Sequence, residues 1–456
     1  MLNVLLTATP LHGHVLPMVS IGSALLERGH RVTLLTGADF EALTTGHGLR
    51  FQALQADADF RSQRASACSS SRRPRVLQGR DAILDTFVRP LDAQYRALAA
   101  LLGESRWDAV LSDAAYLGTL PLLLSPSRRD RPPILGISAT PLSLNSDDCA
   151  PFGAALQPGE ALDTPRRNRR IRWLLRHGPL KRLHRQLDDV LAAHGIPRGS
   201  ADYFDHAAYF DATFHLAPPQ MEYPRQNLPE TIRFVGPIPS PLGKGSLPDW
   251  WRDLDENRPV VHVTQGTMDN GDPSKLLLPS IRGLEGEDVL VVVATGGLPV
   301  SRLVQAYGEP LPRNVRAAEF LAYDQLLPRA DVVVSNGGFG GVQHALRHGV
   351  PLVVAGDTEE KPEVAARVRW AGAGIDLRTG TPSPVRIRRA VLAVLHQSSY
   401  QANARRVGRS IARLGDPRTA IADALEEEVL ARTRRGVRTD EPRGHHALSP
   451  SLGVSK

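Results

Sequence analysis

The sequence predicts an α/β protein of two βαβ-type domains that face each other across a cleft. Two observations lead to this prediction. The strand–turn–helix–strand pattern occurs near both ends of the 456-residue chain, and a Pro/Gly-rich segment at 235–245 separates the two occurrences. Because open parallel sheets bind ligands at the carboxyl ends of their strands, two such domains would enclose a ligand site between them. We expect the domains to span residues 1–240 and 241–432, followed by a disordered tail at 433–456.

Composition limits the class of protein. Hydrophobic residues make up 42% of the chain and charged residues 23%, as in ordinary globular proteins. No stretch approaches about 18 uncharged apolar residues, so stable membrane insertion is not expected. The first strand begins at the N-terminus without a preceding basic region, which makes a signal peptide unexpected. Two cysteines, Cys68 and Cys149, form no disulfide framework, and a cytoplasmic location is expected.

The net charge of +7 is concentrated in a few segments, of which residues 166–185 are the most basic. Nine arginines and lysines occur there without an acidic residue. Two interpretations remain open: a surface for membranes or anionic partners, or a solvated face of helices and loops. Nucleic acid is not expected as a partner, because Trp173 is the only aromatic residue in the run.

In the first half, short apolar runs predict the strands and apolar residues at helical spacing predict the helices. Residues 57–80 are polar and rich in Ser and Arg, which predicts a mobile loop. Residues 139–178 show no regular period, and so long an irregular segment suggests a functional role such as an acceptor pocket. Strands are predicted at 3–8, 31–36, 51–54, 109–111, 134–138 and 211–216, and helices after residue 17 and at 82–102, 117–124 and 180–194.

The second half repeats this alternation. Its central unit is the apolar strand 332–334, a turn at 336–341 with four glycines in six positions, a helix at 342–348 and a strand at 352–354. The other strands are predicted at 260–264, 289–295 and 315–320, and the other helices at 324–327, 361–371, 383–396 and about 400–430.

The glycine-rich turn predicts an anion site. Its backbone N–H groups can approach a ligand closely, and the helix N-terminus adds about half a positive charge, so a diphosphate is the expected ligand. The spacing matches neither Gly-x-Gly-x-x-Gly nor a P-loop. The alternative is that the glycines only allow tight packing at a βα corner.

His14 and Asp113 are the candidate catalytic pair. His14 follows the first strand in a predicted loop, and Asp113 ends another strand of the same predicted sheet. Histidine is a suitable base near neutral pH, and a buried carboxylate on its second ring nitrogen would fix the tautomer. Taken alone, His14 could instead start a helix and Asp113 could cap one.

No metal site is predicted. The pairs Asp57/Asp59 and Asp253/Asp255 lie in polar segments and are expected to be surface carboxylates. His344 and His348 stand four residues apart on a predicted helix, which is a zinc-binding spacing, but the neighbouring sequence offers no obvious third ligand.

Four stretches together carry a family resemblance. Residues 336–354, with Asn-Gly-Gly-Phe-Gly-Gly and His-Gly-Val-Pro, resemble the donor-binding signature of the inverting family 1 glycosyltransferases, the bacterial macrolide, antibiotic and flavonoid type. Gly-His-Val-Leu-Pro at 13–17 resembles the family's Gly-His-Val-Asn-Pro loop, 260–267 resembles its strand ending in Gly-Ser/Thr, and 320–327 resembles its Trp/Phe-x-Pro-Gln segment. The resemblance covers about residues 1–430 and implies the GT-B fold, in which two Rossmann-like domains face each other across a cleft.

The resemblance implies a role for each matching position. His14 would be the general base that deprotonates the acceptor, and Asp113 would orient it. Phe320 would stack on the nucleotide base, and the backbone of Leu321 would hydrogen-bond the edge of that base. Other positions would hold the donor's diphosphate (Thr267, Gly337, Gly338, Gly340 and Gly341) or its sugar hydroxyls (Glu360 and Lys361).

Three donor-site positions depart from the family pattern. Asn336 replaces the phosphate-binding histidine and can donate a hydrogen bond but carries no charge. Lys361 replaces a sugar-binding glutamine. His344 replaces the glutamate that binds the ribose hydroxyls, which favours a deoxyribose donor such as a dTDP-sugar over a UDP-sugar.

The resemblance implies an inverting, metal-independent glycosyltransferase that needs no cofactor. It would transfer a sugar from a UDP- or dTDP-sugar to a small, largely apolar natural-product acceptor. Two alternatives remain open: a sugar-nucleotide epimerase on the same fold, and a non-catalytic sugar-nucleotide-binding helper protein. His14 and Asp113 disfavour the helper, and the predicted acceptor segment at 139–178 disfavours the epimerase.

Overall fold

The protein has one parallel β-sheet in each half of the chain. The computed structural model describes residues 1–55, 57–59, 75–127, 130–159, 165–239, 247–255, 257–266, 270–308 and 310–439. The strands are β1 Asn3–Thr7, β2 Arg31–Thr36, β3 Arg50–Ala53, β4 Ala109–Asp113, β5 Ile134–Ser138, β6 Ala212–His215, β7 Ile232–Phe234, β8 Val260–Thr264, β9 Leu290–Ala294, β10 Val315–Ala318, β11 Val332–Ser335, β12 Leu352–Val354 and β13 Gly374–Asp376. The first sheet runs β3-β2-β1-β4-β5-β6-β7 and the second β10-β9-β8-β11-β12-β13, which confirms the predicted α/β fold.

Helices cover both faces of each sheet. They are α1 His12–Glu27, α2 Glu41–Gly46, α3 Arg75–Ile83, α4 Leu91–Glu104, α5 Leu120–Leu124, α6 Pro165–His177, α7 Lys181–Ala193, α8 Leu277–Leu284, α9 Val300–Tyr307, α10 Tyr323–Leu326, α11 Phe339–Arg347, α12 Lys361–Trp370, α13 Pro384–His396, α14 Ser398–Leu414 and α15 Pro417–Thr439. Neighbours along β1 show the two-sided burial, since Leu5 and Leu6 pack into separate cores. Strands buried on both faces are continuously apolar rather than alternating, as these are. No helix among the described residues is both long and apolar enough to cross a bilayer.

The strand order places a ligand crevice in each domain. In the first sheet, β1 lies between β2 and β4, so the chain winds in opposite directions on its two sides. In the second sheet, β8 occupies the same position between β9 and β11. Ligands of such sheets bind at this reversal point, at the carboxyl ends of the strands. The segments that follow β1, β4, β8 and β11 are therefore expected to form the ligand site.

The end of the chain differs from the prediction. Helix α15 runs to Thr439, so residues 433–439 are helical and not part of a disordered tail. Its apolar residues Ile421 and Leu425 are buried in the core of the first domain, and at the surface its Asp423 forms an ion pair with Arg28 of α1's C-terminal end at 2.6 Å. The second domain therefore does not extend to residue 432, because the last helix packs on the first domain. The remaining predicted tail lies outside the described residues.

Several helix boundaries also differ from the prediction. The long helix predicted at 82–102 is two helices, α3 and α4, separated by a π-helical turn at Leu84–Val88 and by Pro90. Part of the predicted mobile loop, from Arg75, belongs to α3. The helix predicted from residue 342 begins at Phe339, within the glycine run. The short strands β7 and β13 were not predicted.

The basic stretch 166–185 forms two helices, α6 and α7, where the sequence predicted irregular structure up to residue 178. Three of its arginines pair with acids of the same domain. Arg169 and Arg172 lie 2.5 and 2.8 Å from Asp147, and Arg176 lies 2.7 Å from Asp202. These contacts favour the second interpretation, a solvated helical face that packs on its own domain.

Candidate active site

The segments that follow β1 and β4 bring His14 and Asp113 together at the crevice of the first sheet. His14 lies in the first turn of α1, not in a loop as predicted, because the helix begins at His12. The imidazole Nδ1 is 2.9 Å from Asp113 Oδ1, and the two side chains are 11% and 2% exposed. The backbone N–H groups of Thr9 and Ala115 donate to the same carboxylate at 3.2 Å each. Asp113 is therefore held in place, and Nε2 is the ring nitrogen left to act on a substrate.

The environment of the pair keeps His14 basic. Burial alone would lower the pKa of His14, but the charge and hydrogen bond of Asp113 more than reverse this, and the pKa lies above the ordinary 6.5. The Glu360 carboxylate, from the second domain, acts in the same direction. Burial would raise the pKa of Asp113, yet His14 and the bonds from Thr9 and Ala115 bring it below its usual value. Asp113 thus stays ionised while His14 can accept a proton.

These shifts predict the pH dependence of the reaction. A base whose pKa is raised remains protonated to higher pH, so kcat/KM for the acceptor should fall on the acidic side with an apparent pKa above 6.5. Asp113→Asn removes the charge that raises this pKa while burial remains, so its acidic limb should move to lower pH. The plateau should also fall, because an amide does not enforce the same tautomer. A pH–rate profile that keeps its acidic limb in Asp113→Asn would contradict this role for the pair.

Aromatic side chains extend from His14 into the first domain. The centroid of the Phe87 ring is 6.4 Å from that of His14 and 6.2 Å from that of Tyr203. Phe204 lies 5.2 Å beyond Tyr203, and Phe152 lies 6.3 Å beyond Phe204. This row, which we call the aromatic wall, was missed from sequence because its members come from three segments that lie 50 or more residues apart. Only Phe152 belongs to the segment 139–178 in which the acceptor pocket was predicted.

The glycine run lies at the N-terminus of α11, at the crevice of the second sheet. Gly337 has φ of +87°, which favours glycine, and a Cβ there would lie 2.8 Å from Val354. By contrast, Cβ atoms at Gly338, Gly340 and Gly341 would meet no atom within 4 Å. Only Gly337 is therefore required by packing, and the other three leave open space around the helix N-terminus. That space favours an anion site over the packing alternative.

Asn336 is less available to a ligand than the sequence suggested. Its side chain is largely buried, and its Nδ2 donates to the backbone oxygen of Gln265 at 2.5 Å. This bond ties the end of β11 to the end of β8 across the crevice. A direct phosphate contact by Asn336 would require that bond to rearrange. Thr267, the other predicted side-chain contact to the diphosphate, lies outside the described residues.

Phe320 and Leu321 follow β10 at the edge of the second domain. The Phe320 ring is 63% exposed, and it lies against Gly297, where a Cβ would approach the ring to 3.1 Å. Gly297 has φ of +100°. Leu321, in contrast, is buried, and the backbone contact predicted for it remains a prediction. An exposed aromatic ring that packs against glycine on one side is suited to stack on a nucleotide base with the other.

Glu360 and Lys361 lie at the start of α12, next to the glycine run. Lys361 is buried, and its Nζ lies 2.7 Å from Glu359 Oε2 and 3.2 Å from Thr358 Oγ1. Burial, followed by the nearby Glu359 charge, raises the pKa of Glu360. Glu359 itself has φ of +55°, a strained conformation for a residue with a side chain. The segment thus offers a carboxyl and an ammonium group on the side of the cleft that faces His14.

His344 has a partner that the sequence did not indicate. Its Nε2 lies 2.9 Å from Asp324 Oδ1, a contact between α11 and α10, and His348 Nε2 lies 3.6 Å from the same oxygen. Together the three side chains offer ligand atoms within 4.8 Å of one another, so a third potential metal ligand exists that the neighbouring sequence lacked. Asp324 is 60% exposed, and its hydrogen bond with His344 accounts for the contact without a metal ion. The structure also places a carboxylate beside the position where the family has a glutamate.

Comparison with known proteins supports the same family on independent grounds. A model of the erythromycin biosynthesis protein CIII-like C-terminal domain matches residues 300–427. The 4'-demethylrebeccamycin synthase of Lentzea aerocolonigenes is 39% identical over 428 residues, which cover 93% of this chain and 98% of that protein. UDP-glycosyltransferase 2 of Phaeomoniella chlamydospora is 32% identical over 445 residues, which cover 94% and 96%.

The fold is also that of solved glycosyltransferases. The crystal structure of CalG4, the calicheamicin glycosyltransferase, superposes with a TM-score of 0.70 and covers 94% of this chain and 98% of its own. At 24% sequence identity, this likeness is informative about architecture only.

Proposed function

Since this chain belongs to the family 1 glycosyltransferases of the antibiotic-biosynthesis type, we propose that it transfers a sugar from a UDP- or dTDP-sugar to a small apolar acceptor with inversion. The observation that carries the proposal is the His14–Asp113 pair at 2.9 Å, opposite the open glycine turn of the second domain. The electrostatic influence of Glu360 on His14 supports a single site between them. No cofactor is required, because the donor sugar is a co-substrate.

In the proposed mechanism, His14 Nε2 takes the proton of the acceptor nucleophile while Asp113 stabilises the imidazolium that forms. The nucleophile forms a bond to the anomeric carbon as the bond from that carbon to the diphosphate oxygen breaks. The leaving diphosphate carries the electron pair, and the N-terminus of α11 stabilises its charge. A single displacement of this kind inverts the anomeric centre.

The aromatic wall bears on the acceptor. Phe87 lies next to His14, and Tyr203, Phe204 and Phe152 continue away from it. Such rings bury apolar surface and favour stacked or edge-to-face contacts with other rings. We therefore propose a natural-product acceptor with an aromatic system whose nucleophilic group reaches His14.

The chemical step should be independent of metal. In this mechanism the helix N-terminus stabilises the leaving diphosphate, so EDTA should leave the transfer rate within about twofold. Transfer rates measured with excess EDTA, and with Mg²⁺ or Mn²⁺ added back, test this directly. A strict cation requirement in single-turnover experiments would contradict the helix-dipole account. A modest effect under multiple turnover would not, because free cations also bind released diphosphate.

The nucleotide preference should depend on Asp324. His344 alone favoured dTDP, but Asp324 returns a carboxylate to that region and can accept a hydrogen bond from a ribose hydroxyl. Asp324→Ala should therefore weaken UDP binding relative to dTDP by about fivefold, the scale of one hydrogen bond of about 1 kcal/mol. Titration calorimetry of both nucleotides against both proteins gives the ratio, in which contributions common to both nucleotides cancel. An unchanged ratio would show that Asp324 does not contact the 2′-hydroxyl, the only ribose group that the two nucleotides do not share.

A ligand-induced melting screen with UDP, dTDP and GDP is the first test of the proposed function. UDP or dTDP should raise Tm, because a ligand at about 100 times its Kd stabilises by about 2.7 kcal/mol, whereas GDP should have little effect. The UDP- or dTDP-sugars indicated by the screen are then assayed with a panel of hydroxylated aromatic acceptors. No shift with either nucleotide, and no glycosylated product, would refute the proposal.

A further inference from the structure

A buried group of charged residues connects the two domains away from His14 and the glycine turn. Arg367, on α12 of the second domain, is 1% exposed and lies 3.0 Å from Glu222 of the first domain, which is also 1% exposed. Glu363, one helical turn before Arg367, lies 2.8 Å from it and is 5% exposed. Because buried charges are costly unless paired, this group holds the domains in a defined contact. The proposed chemistry uses none of these three side chains.

The side chain of Glu363 also binds the backbone of a loop of the first domain. One carboxylate oxygen, Oε1, accepts hydrogen bonds from the N–H groups of Gly153 at 2.7 Å and Ala155 at 2.8 Å. The other oxygen, Oε2, accepts from Arg367. Gly153 has φ of +93° and Ala155 has φ of +49°, which is unusual for a residue with a Cβ. Both N–H groups thus converge on one oxygen of the other domain.

Other bonds fix both ends of the same loop, residues 142–157. At its start, Leu142 donates to Glu222 at 2.8 Å and accepts from Arg367 at 3.2 Å. Near its end, the Gln157 side chain donates to the backbone oxygen of Ala366 at 2.7 Å. The loop that carries Phe152 of the aromatic wall is therefore attached to one helix of the donor domain.

The same helix begins at the donor side of the cleft. Glu360 and Lys361, predicted to contact the donor sugar, precede Glu363 by three and two residues. Through α12, a shift at the donor segment would move the carboxylate that holds the acceptor loop. We propose that Glu363 is a positioning residue, which holds the acceptor loop 142–157 in register with the donor segment 356–361. This rests on the proposed function, since it assigns the loop to the acceptor and α12 to the donor.

Hydrogen–deuterium exchange of Glu363→Gln tests the proposal without knowledge of the acceptor. An amide has only one accepting end, so the substituted side chain can satisfy the loop N–H groups or Arg367 but not both. Amides of peptides covering 150–158 should exchange about tenfold faster or more in the variant than in the wild type. UDP and dTDP, each at saturation, should slow exchange in 150–158 and 356–362 of the wild type. In Glu363→Gln they should slow only 356–362.

Two further variants separate positioning from general loosening of the domains. Gln157→Leu removes the hydrogen bond from the half-buried Gln157 side chain to the backbone oxygen of Ala366, near the end of the loop. It should also speed exchange in 150–158, so the test does not depend on folding of Glu363→Gln. Ser410→Ala removes a different interdomain bond, 2.6 Å from Ser410 to Gln220, and should leave 150–158 unchanged. Once an acceptor has been identified, Glu363→Gln should raise the KM for the acceptor about tenfold and leave the KM for the donor within about twofold of the wild type.

Unchanged exchange in 150–158 of folded Glu363→Gln would overturn the proposal, as would equal rises in donor and acceptor KM. If Glu363→Gln does not fold, unchanged exchange in Gln157→Leu would overturn the attachment of the loop to α12. Failure of the proposed function gives a different result. In that case neither nucleotide raises Tm or slows exchange at 356–362, whereas the comparison of exchange without nucleotide still decides whether Glu363 holds the loop.

Discussion

His14→Ala is expected to lower kcat by about 10²–10⁴-fold, the usual contribution of a positioned general base. Nucleotide affinity should change little, because His14 lies in the first domain and the glycine turn in the second. Steady-state kinetics and nucleotide titration of the purified variant measure the two quantities separately. Removal of the imidazole also leaves Asp113 buried without its partner, so the thermal midpoint should be recorded to exclude loss of folded protein.

His12→Ala is the matched control for this variant. His12 lies two residues earlier on the same helix, is exposed, and packs against Phe40 with a ring distance of 4.9 Å. Its removal should leave kcat within about twofold of the wild type, the behaviour of a surface position outside the chemistry. A near-normal rate in His14→Ala, or an equal loss in both variants, would show that His14 is not the base.

Glu222→Ala is expected to give the largest loss of stability. Burial alone would raise the pKa of Glu222, but Arg367 leads a set of neighbours that lower it far below its usual range, so the carboxylate is ionised when the protein folds. Its removal leaves Arg367 and Arg225, which lie 3.0 and 3.5 Å from Glu222, with excess positive charge in a buried site. Breaking a buried pair in this way costs about 3–5 kcal/mol. The thermal midpoint should fall by roughly 6–20 °C on the scale of a domain of 150–250 residues.

Asp423→Ala is a suitable control, because it removes an ion pair of similar length that is exposed. Arg28 and Asp423 are 2.6 Å apart and 28% and 56% exposed, and such pairs contribute about 1 kcal/mol or less. The double variant Glu222→Met/Arg367→Met should recover part of the loss, since it removes one charge of each sign and leaves no excess positive charge in the buried group. If Glu222→Ala lowers the midpoint no more than Asp423→Ala, the buried group does not stabilise the domain contact.

The sequence was most informative where a local pattern determines the structure. Runs such as 332–334 and 290–294 are apolar because both faces of each sheet are covered, so their strands were predictable. Helix α6 was missed because its arginines leave almost no apolar period. The end of α15 was missed for a similar reason, since charged residues follow the part that packs on the first domain.

Contacts between distant segments could not be predicted from local sequence patterns. His14 and Asp113 were predicted as a possible pair because both follow strands of one sheet, and the structure places them in contact. Asp324 meets His344 across 20 residues, and Glu363 meets Gly153 across 210, with no motif that joins either pair. The aromatic wall is likewise assembled only by the fold. The role predicted for Thr267 remains a prediction.

The anomeric configuration of the product tests the central claim most directly. In the proposed mechanism a single displacement occurs at the anomeric carbon, with His14 activating the acceptor and the diphosphate leaving toward α11. An α-configured UDP- or dTDP-sugar must then give a β-linked product, which the proton NMR coupling of the anomeric hydrogen identifies. A β-product formed by the wild type and lost in His14→Ala is the predicted result. An α-linked product would contradict a single displacement with His14 as the base.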